Sequence, residues 1–379
     1  MNTISREFHI FAKPVSAACN LNCSYCYYSG ENNKIGLAIN PRMEYDLLEK
    51  YIVQHIEATT DDLIFFSWHG GEPTLAGVDF YRKAVELQKK HLPKGKKLLN
   101  GIQTNGTLIN EEWCRFLKKE SFLVGISMDG PEEFHKRFRI KNNGFGTYNE
   151  VLRGYRLLQR HEITTEILCV VNASNAEYPL EVYRFFKSLN AGFITFLPLV
   201  EQKSGFKPEV TENTVSPETF GKFLINIFDD WVENDIGKVT IQIFEEALRA
   251  AIDNEHTLCI FKVNCGGVPV IEGNGDFYSC DHFVKPEHLL GSIKYRPVSD
   301  FLDSDEQKAF GRAKSITLPK YCKNCHVLSM CNGECPKNRF IETPDGEQGL
   351  NYLCAGYKMF FKHCLPFIEA VRTAVAEGC

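Results

Sequence analysis

No apolar run in this sequence of 379 residues approaches the roughly 18 residues that a membrane-spanning helix needs. The first twenty residues, beginning MNTISREFHIFAKPV, hold neither a continuous apolar core nor the small-residue cleavage site of a secretory signal. A marked excess of one sign of charge is lacking too. With 43 Lys and Arg against 48 Asp and Glu, the formal net charge is −5, which gives no reason to expect a nucleic acid or an anionic membrane as partner. The chain also lacks internal repeats and low-complexity tracts. These absences point to a cytoplasmic globular protein, and 44% hydrophobic with 24% charged residues is ordinary for one. At this length a large domain with a smaller appendage is expected.

Cysteine, by contrast, is in excess, at 15 residues. A reducing compartment disfavours disulfides, so clustered cysteines read as metal ligands or catalysts. Cys19, Cys23 and Cys26 form one group. A second, of eight, runs from Cys259 to Cys354. Cys114, Cys169, Cys364 and Cys379 fall outside both and read as buried small hydrophobes or a tail residue.

Residues 8–200 alternate short apolar runs with amphipathic stretches. Strands are expected at 8–15, 63–70, 98–105, 122–129, 163–171 and 192–200, with helical patterns such as 44–56 and 79–91 between them. Six β-then-α units imply a parallel sheet, doubly wound or closed into a partial barrel. Right-handed crossovers bring the C-terminal strand ends to one face. The distinctive segments all follow strands: the cysteine loop, GGEP (70–73), TNG (104–106) and SMDGP (127–131). Helices are expected over 217–234 and 244–252. From Cys259 onward Gly, Pro and Cys punctuate short elements, and bound metal is the expected source of order. The expected division is therefore 1–235 for the α/β domain, 236–258 as a connecting helical segment, and 259–379 for a Cys-rich domain with a C-terminal helix.

Cys19-Asn-Leu-Asn-Cys23-Ser-Tyr-Cys26 is a C-x3-C-x2-C run. Three thiolates on one loop can hold three irons of a [4Fe–4S] cube and leave the fourth without a protein ligand, free to be chelated by the amino and carboxylate groups of S-adenosylmethionine (SAM). Structural zinc, the alternative, prefers four ligands in C-x2-C pairs, which this run lacks. Farther on, Cys265 and Cys280 flank Gly275, Cys322-x2-Cys325-x5-Cys331-x3-Cys335 follows, and Cys354 closes the pattern. With Cys259 these are eight thiolates, enough for two fully ligated clusters, although C-x2-C pairs also build zinc ribbons.

The triad followed by GGEP resembles the radical SAM superfamily over roughly residues 8–235, and that resemblance implies a partial (β/α)6 barrel. By it, Gly70, Gly71, Glu72 and Pro73 bind the SAM amino group, Ser127 and Asp129 face the SAM ribose or substrate, and Arg139 pairs with the SAM carboxylate. Tyr28 packs near SAM or is a core aromatic, and Thr104 and Asn105 line the same mouth or form a polar turn. The C-terminal cassette is similar to the SPASM pattern. That likeness implies auxiliary cluster I on Cys259, Cys265, Cys280 and Cys335, and auxiliary cluster II on Cys322, Cys325, Cys331 and Cys354. In all, SAM and three [4Fe–4S] clusters are expected.

The strings WHGGEPTLAG (68–77), QTNGTLI (103–109), SMDGPEEFH (127–135), SCDHFV (279–284), CNGECPKNRF (331–340) and GLNYLCAGY (349–357) resemble anaerobic sulfatase-maturating enzymes. This resemblance implies an oxidoreductase that converts a cysteine or serine of an unfolded sulfatase, within C/S-x-P/A-x-R, to Cα-formylglycine. Its chemistry would begin with hydrogen abstraction from Cβ by a 5′-deoxyadenosyl radical and would use a low-potential donor such as ferredoxin or flavodoxin. Removing two electrons and two protons needs a base besides the radical. Asp281 is the candidate base, or else a carboxylate accepting local N–H bonds. His69 hydrogen-bonds substrate or belongs to the core. A rival expectation is a maturase that crosslinks or epimerises a ribosomal peptide. Many such enzymes carry an N-terminal recognition domain, and only about 18 residues precede Cys19 here. A purely electron-carrying protein would not need an open-iron triad followed by GGEP.

Overall fold

The computed structural model describes residues 7–28, 42–203, 209–251 and 255–376. Cys379 and the end of the helix expected over 244–252 lie outside them. The chain forms two compact units, each from separate stretches: 1–127, 135–166 and 266–311 in one, 128–134, 167–265 and 312–379 in the other.

The first unit is built on strands β1 (Phe11–Ala12), β2 (Leu63–Trp68), β3 (Lys97–Thr104) and β4 (Leu123–Ser127), parallel and in sequence order. On the other side of β1 lie β8 (Val270–Ile271), parallel to it, and the antiparallel β9 (Asp276–Tyr278) and β10 (Leu289–Ser292). The first strand is far shorter than the apolar run 8–15. Pro14 has no N–H to continue the ladder, so the chain leaves the sheet after Lys13. Lys13 N–H still donates to the Ile271 carbonyl at 2.9 Å, and its side chain is thereby aimed at the C-terminal strand ends. Helices Tyr45–Ala58, Val78–His91 and Glu111–Lys119 follow the first strands. Asn110 caps the third by accepting from Trp113 N–H at 3.0 Å. Trp68 Nε1 and Gln88 Nε2 both donate to Asn100 Oδ1 at 2.9 Å, which ties a helix to β2 and β3 through an otherwise apolar core.

In the second unit β5 (Thr165–Val171, from Ile167 on), β6 (Phe193–Pro198) and β7 (Thr240–Ile241) are again parallel and in order. The expected helix over 217–234 forms as Pro217–Asn234, with Pro at its first turn and Ser216 accepting from Thr219 N–H at 3.1 Å. It packs on the long C-terminal helix Cys354–Ala376, where a side chain at Gly356 would meet the Pro217 carbonyl. A two-stranded ribbon, β11 (Arg339–Glu342) with β12 (Gln348–Asn351), stands beside the short helices of the cysteine region. No helix among the described residues is long and apolar enough to cross a membrane.

Candidate active site and cluster loops

In the first unit the cysteine loop rests on the GGEP turn. Gly71 N–H donates to the Ser16 carbonyl at 2.7 Å and Glu72 N–H to Ala18 at 2.8 Å. A Cβ on Gly71 would lie 2.3 Å from the Ala18 oxygen, and Gly70 has φ +120°. The two glycines are therefore required for one loop to lie against the other. Among the described residues, the Gly70 and Gly71 carbonyls accept no backbone hydrogen bond. Glu72, fully buried, is a brace: it accepts from Thr74 N–H and Oγ1, from Thr104 Oγ1 at 2.7 Å and from Asn105 N–H at 2.7 Å. Burial raises its pKa, with those donors opposing the shift. Thr104 is thus turned inward, joining the ends of β2 and β3.

The other end of the loop is pinned by Asn22 N–H on the Ile140 carbonyl (2.8 Å) and Ser24 N–H on that of Phe138 (3.1 Å). Cys19 Sγ accepts from Leu21 N–H at 3.4 Å and Asn105 Nδ2 at 3.8 Å. Burial pushes this thiol up to about 12, and the Cys23 and Cys26 sulfurs add to the effect. Such a thiol ionises when a metal replaces its proton. Arg139, buried, sets its guanidinium 5.5 Å from the Tyr25 ring centroid, inside the triad. Ser127, at the end of β4, accepts from Gln103 Nε2 at 3.1 Å. In the second unit Asp129 accepts from Val170 N–H at 3.0 Å.

Beside the loop lies a charged cluster that sequence reasoning only half saw. Lys13 Nζ, 1% exposed, is 2.9 Å from Asp281 Oδ1 and 3.0 Å from Glu272 Oε1. Asp281 also accepts from Tyr27 Oη (2.5 Å) and Tyr28 Oη (2.8 Å), and Lys13 sits 4.2 Å from the Tyr28 ring centroid. Burial would raise the Asp281 pKa, but the Lys13 charge outweighs it and holds the carboxyl well below its ordinary range. Conversely, burial opposes the charge on Lys13, yet Asp281 and Glu272 leave its pKa raised. Asp281 is therefore ionised, and Tyr28 serves it directly through its hydroxyl. His69 stacks on Phe11 with centroids 3.8 Å apart, and burial pushes its pKa down to about 3, so it is a neutral imidazole. Lys13, Tyr27 and Glu272 were missed. The available signal was a lone lysine ending an apolar strand run.

The second unit gathers the later cysteines. Cys322 and Cys354 lie within electrostatic reach of each other and of both Cys325 and Cys331, and burial pushes Cys331 up to about 12 and Cys354 up to about 11. Cys259 and Cys265 form a similar pair, with Cys259 pushed up to about 11 by burial. Cys335 belongs to this unit, while Cys280 caps the turn Asp281–Phe283 in the first. All fourteen described cysteines are free thiols, and Cys114, Cys169 and Cys364 are fully buried, as small hydrophobes are. No three His, Cys, Asp or Glu side chains among the described residues are gathered tightly enough for a single metal ion. The donor chemistry fits iron–sulfur ligation: sets of free, buried or half-buried thiols, soft ligands on short loops.

Residues 14–186 match the Radical SAM superfamily and residues 265–326 an iron-sulfur cluster-binding domain, SPASM. The α/β architecture with its parallel strands and Cys-rich appendage is therefore that of a radical SAM enzyme, which uses SAM and a [4Fe–4S] cluster, with further iron–sulfur clusters in the appended domain. A serine-type anaerobic sulfatase-maturating enzyme of Bacteroides thetaiotaomicron is 43% identical, over 97% of this chain and 92% of its own length. A cysteine-type enzyme of Clostridium perfringens (strain 13 / Type A) is 33% identical over 94% and 96%. A solved structure of native anSMEcpe with bound AdoMet and Cp18Cys peptide superposes with TM-score 0.85 and 32% identity, over 96% of this chain and 99% of that one. The chain belongs to the anaerobic sulfatase-maturating enzymes.

Proposed function

We propose that this enzyme oxidises a cysteine or serine of a sulfatase polypeptide to Cα-formylglycine, with Asp281 as the base. The observation that carries the assignment of the base is the ion cluster around Asp281: the carboxylate is buried and ionised beside Lys13 and next in sequence to Cys280, a proposed cluster ligand. Family membership, and the peptide bound to a similar enzyme, support the substrate class. In this reading Cys19, Cys23 and Cys26 hold the SAM-binding cluster. Cys259, Cys265, Cys280 and Cys335 hold one auxiliary cluster, and Cys322, Cys325, Cys331 and Cys354 the other. When bound, SAM and its cluster supply the radical that takes a hydrogen atom from Cβ, and the auxiliary clusters supply an acceptor for the electron left behind.

The chain's own residues do the rest. The open carbonyls of Gly70 and Gly71 suit an ammonium donor, the amino group of SAM, while Glu72 keeps the turn in place from behind. Arg139 offers a guanidinium to a carboxylate, Ser127 a hydroxyl to the ribose, and Tyr25 and Tyr28 wall the loop. An Oδ of Asp281 takes the proton of the substrate thiol or hydroxyl, Tyr27 giving way as the donor it replaces, and Lys13 holds the carboxylate charged until then. A serine substrate yields the aldehyde directly, and a cysteine substrate needs water to release sulfide. A low-potential donor such as ferredoxin or flavodoxin returns the electron needed for SAM cleavage.

The test is anaerobic turnover of C-x-P-x-R and S-x-P-x-R peptides with SAM and a low-potential reductant. Mass spectrometry should show the loss expected for an aldehyde on at least one of them. With Asp281→Asn, 5′-deoxyadenosine should still form while aldehyde falls by about a hundredfold or more. Full aldehyde yield from that variant would remove Asp281 from the chemistry.

A further inference from the structure

Two cations of the second unit, Lys314 fully buried and Arg339 partly so, make no ion pair with a carboxylate among the described residues. Lys314 is 1% exposed, and its Nζ donates only to main-chain carbonyls, those of Cys259 (3.0 Å), Ile260 (2.7 Å) and Lys262 (2.5 Å). The Arg339 guanidinium donates to the carbonyls of Gly333 and Asn332 at 2.8 Å, Glu334 at 3.1 Å and Lys314 at 2.6 Å. No ion pair reaches either cation among the described residues. Nearby Glu334 is fully buried, and its side chain accepts from Asn338 and Asn351 instead. Withdrawing an ammonium and a guanidinium from water is costly, and carbonyl dipoles compensate only in part. Glu334 lies within electrostatic reach of both cations, but one carboxylate cannot balance two of them.

The other anions on hand are sulfur. Lys314 lies within electrostatic reach of Cys259 and Cys265, and Arg339 of Cys265, Cys322 and Cys331. Both cations are also tied into the ligand loops themselves, Lys314 into 259–262 and Arg339 into 332–334. A [4Fe–4S] core on four thiolates is a dianion, and reduction adds a third negative charge. A fixed positive charge beside it favours the reduced form and raises the potential.

Resting on the ligand assignment above, we infer that Lys314 and Arg339 are the built-in counter-ions of the auxiliary clusters, positioning residues that hold the cluster potentials high enough to accept the substrate's electron. Lys314 acts mainly on the cluster held by Cys259 and Cys265, and Arg339 on both. They touch neither substrate nor SAM. Their effect is on how readily the electron is taken up.

The experiment is an anaerobic redox titration, followed by electron paramagnetic resonance, of the reconstituted full-length chain and its Lys314→Met and Lys314→Arg variants. The SAM-binding cluster is recognised by its spectral response to added SAM. In Lys314→Met, the ratio of reduced to oxidised Cys259–Cys265 cluster at a fixed potential should fall about tenfold, a negative shift of about 59 mV. The Cys322 cluster should move less, and Lys314→Arg should restore the wild-type value. If the cluster is lost from Lys314→Met but kept in Lys314→Arg, charge is again the requirement. Loss from both variants, or assembly in Lys314→Met with an unmoved potential, would overturn the inference. Wild-type protein that binds iron for only one cluster would overturn the ligand assignment itself, and the inference with it.

Discussion

At the scale of the residue, the controlling feature is the Lys13 ammonium between Asp281 and Glu272. It keeps a carboxylate ionised in a place where burial alone would protonate it. Lys13→Met leaves two acidic groups facing each other without a cation, and the cost should be about 3–5 kcal/mol, read from denaturant unfolding. The pH dependence has a definite sign. The folded-state pKa of Asp281 is depressed, so its contribution is complete above the ordinary carboxylate range and declines as pH falls through and below about 4. The stability gap between wild type and Lys13→Met should therefore narrow on acidification. A gap independent of pH between 7 and 3 would mean that packing, not charge, gives Lys13 its value. His69 behaves differently. Since burial holds its pKa down to about 3, nuclear magnetic resonance should find no imidazole titration between pH 5 and 8.

Elements bring these residues together through close backbone contacts that tolerate no added atom. A Cβ at Gly71 would meet the Ala18 oxygen at 2.3 Å, so Gly71→Ala should push the cysteine loop away from the GGEP turn. Reconstituted Gly71→Ala should bind SAM at least tenfold more weakly while the auxiliary clusters assemble normally. The contact of Pro217–Asn234 with Cys354–Ala376 is equally close: a Cβ at Gly356 would lie 2.1 Å from the Pro217 oxygen. Gly356→Val should cost about 1–3 kcal/mol in thermal unfolding. The helix over 217–234 was readable as an element from its sequence pattern, and a C-terminal helix was expected without bounds. Their crossing was not, because small residues at a contact leave no periodic trace. The strand run 8–15 was over-read for a related reason: apolar content persists past the point where Pro14 ends pairing.

For the whole molecule, the balance between packing and metal differs from place to place. Around the later cysteines the apolar cluster is small, with Leu318, Cys322 and Leu350 buried and Tyr321, Leu328, Ile341 and Cys354 packed against it. Cluster ligation should supply much of the order there. Amide hydrogen exchange over residues 318–354 should slow by at least tenfold on anaerobic reconstitution, while β2 and β3 change little. Equal protection with and without iron would show that this region folds on packing alone.

Pattern within short stretches was enough to establish the βα repeats, the C-x3-C-x2-C loop, the later cassette and, through longer strings such as WHGGEPTLAG, the family. Periodicity and ligand spacing are local properties, written in consecutive residues. The Lys13–Asp281–Glu272 cluster, the turning of Glu72 onto Thr104 and Asn105, and the unpaired cations Lys314 and Arg339 emerged from the fold alone. Each joins groups distant in the chain through strand register and loop packing, and a single charged side chain in a sequence carries no mark of whether water or an opposite charge will surround it.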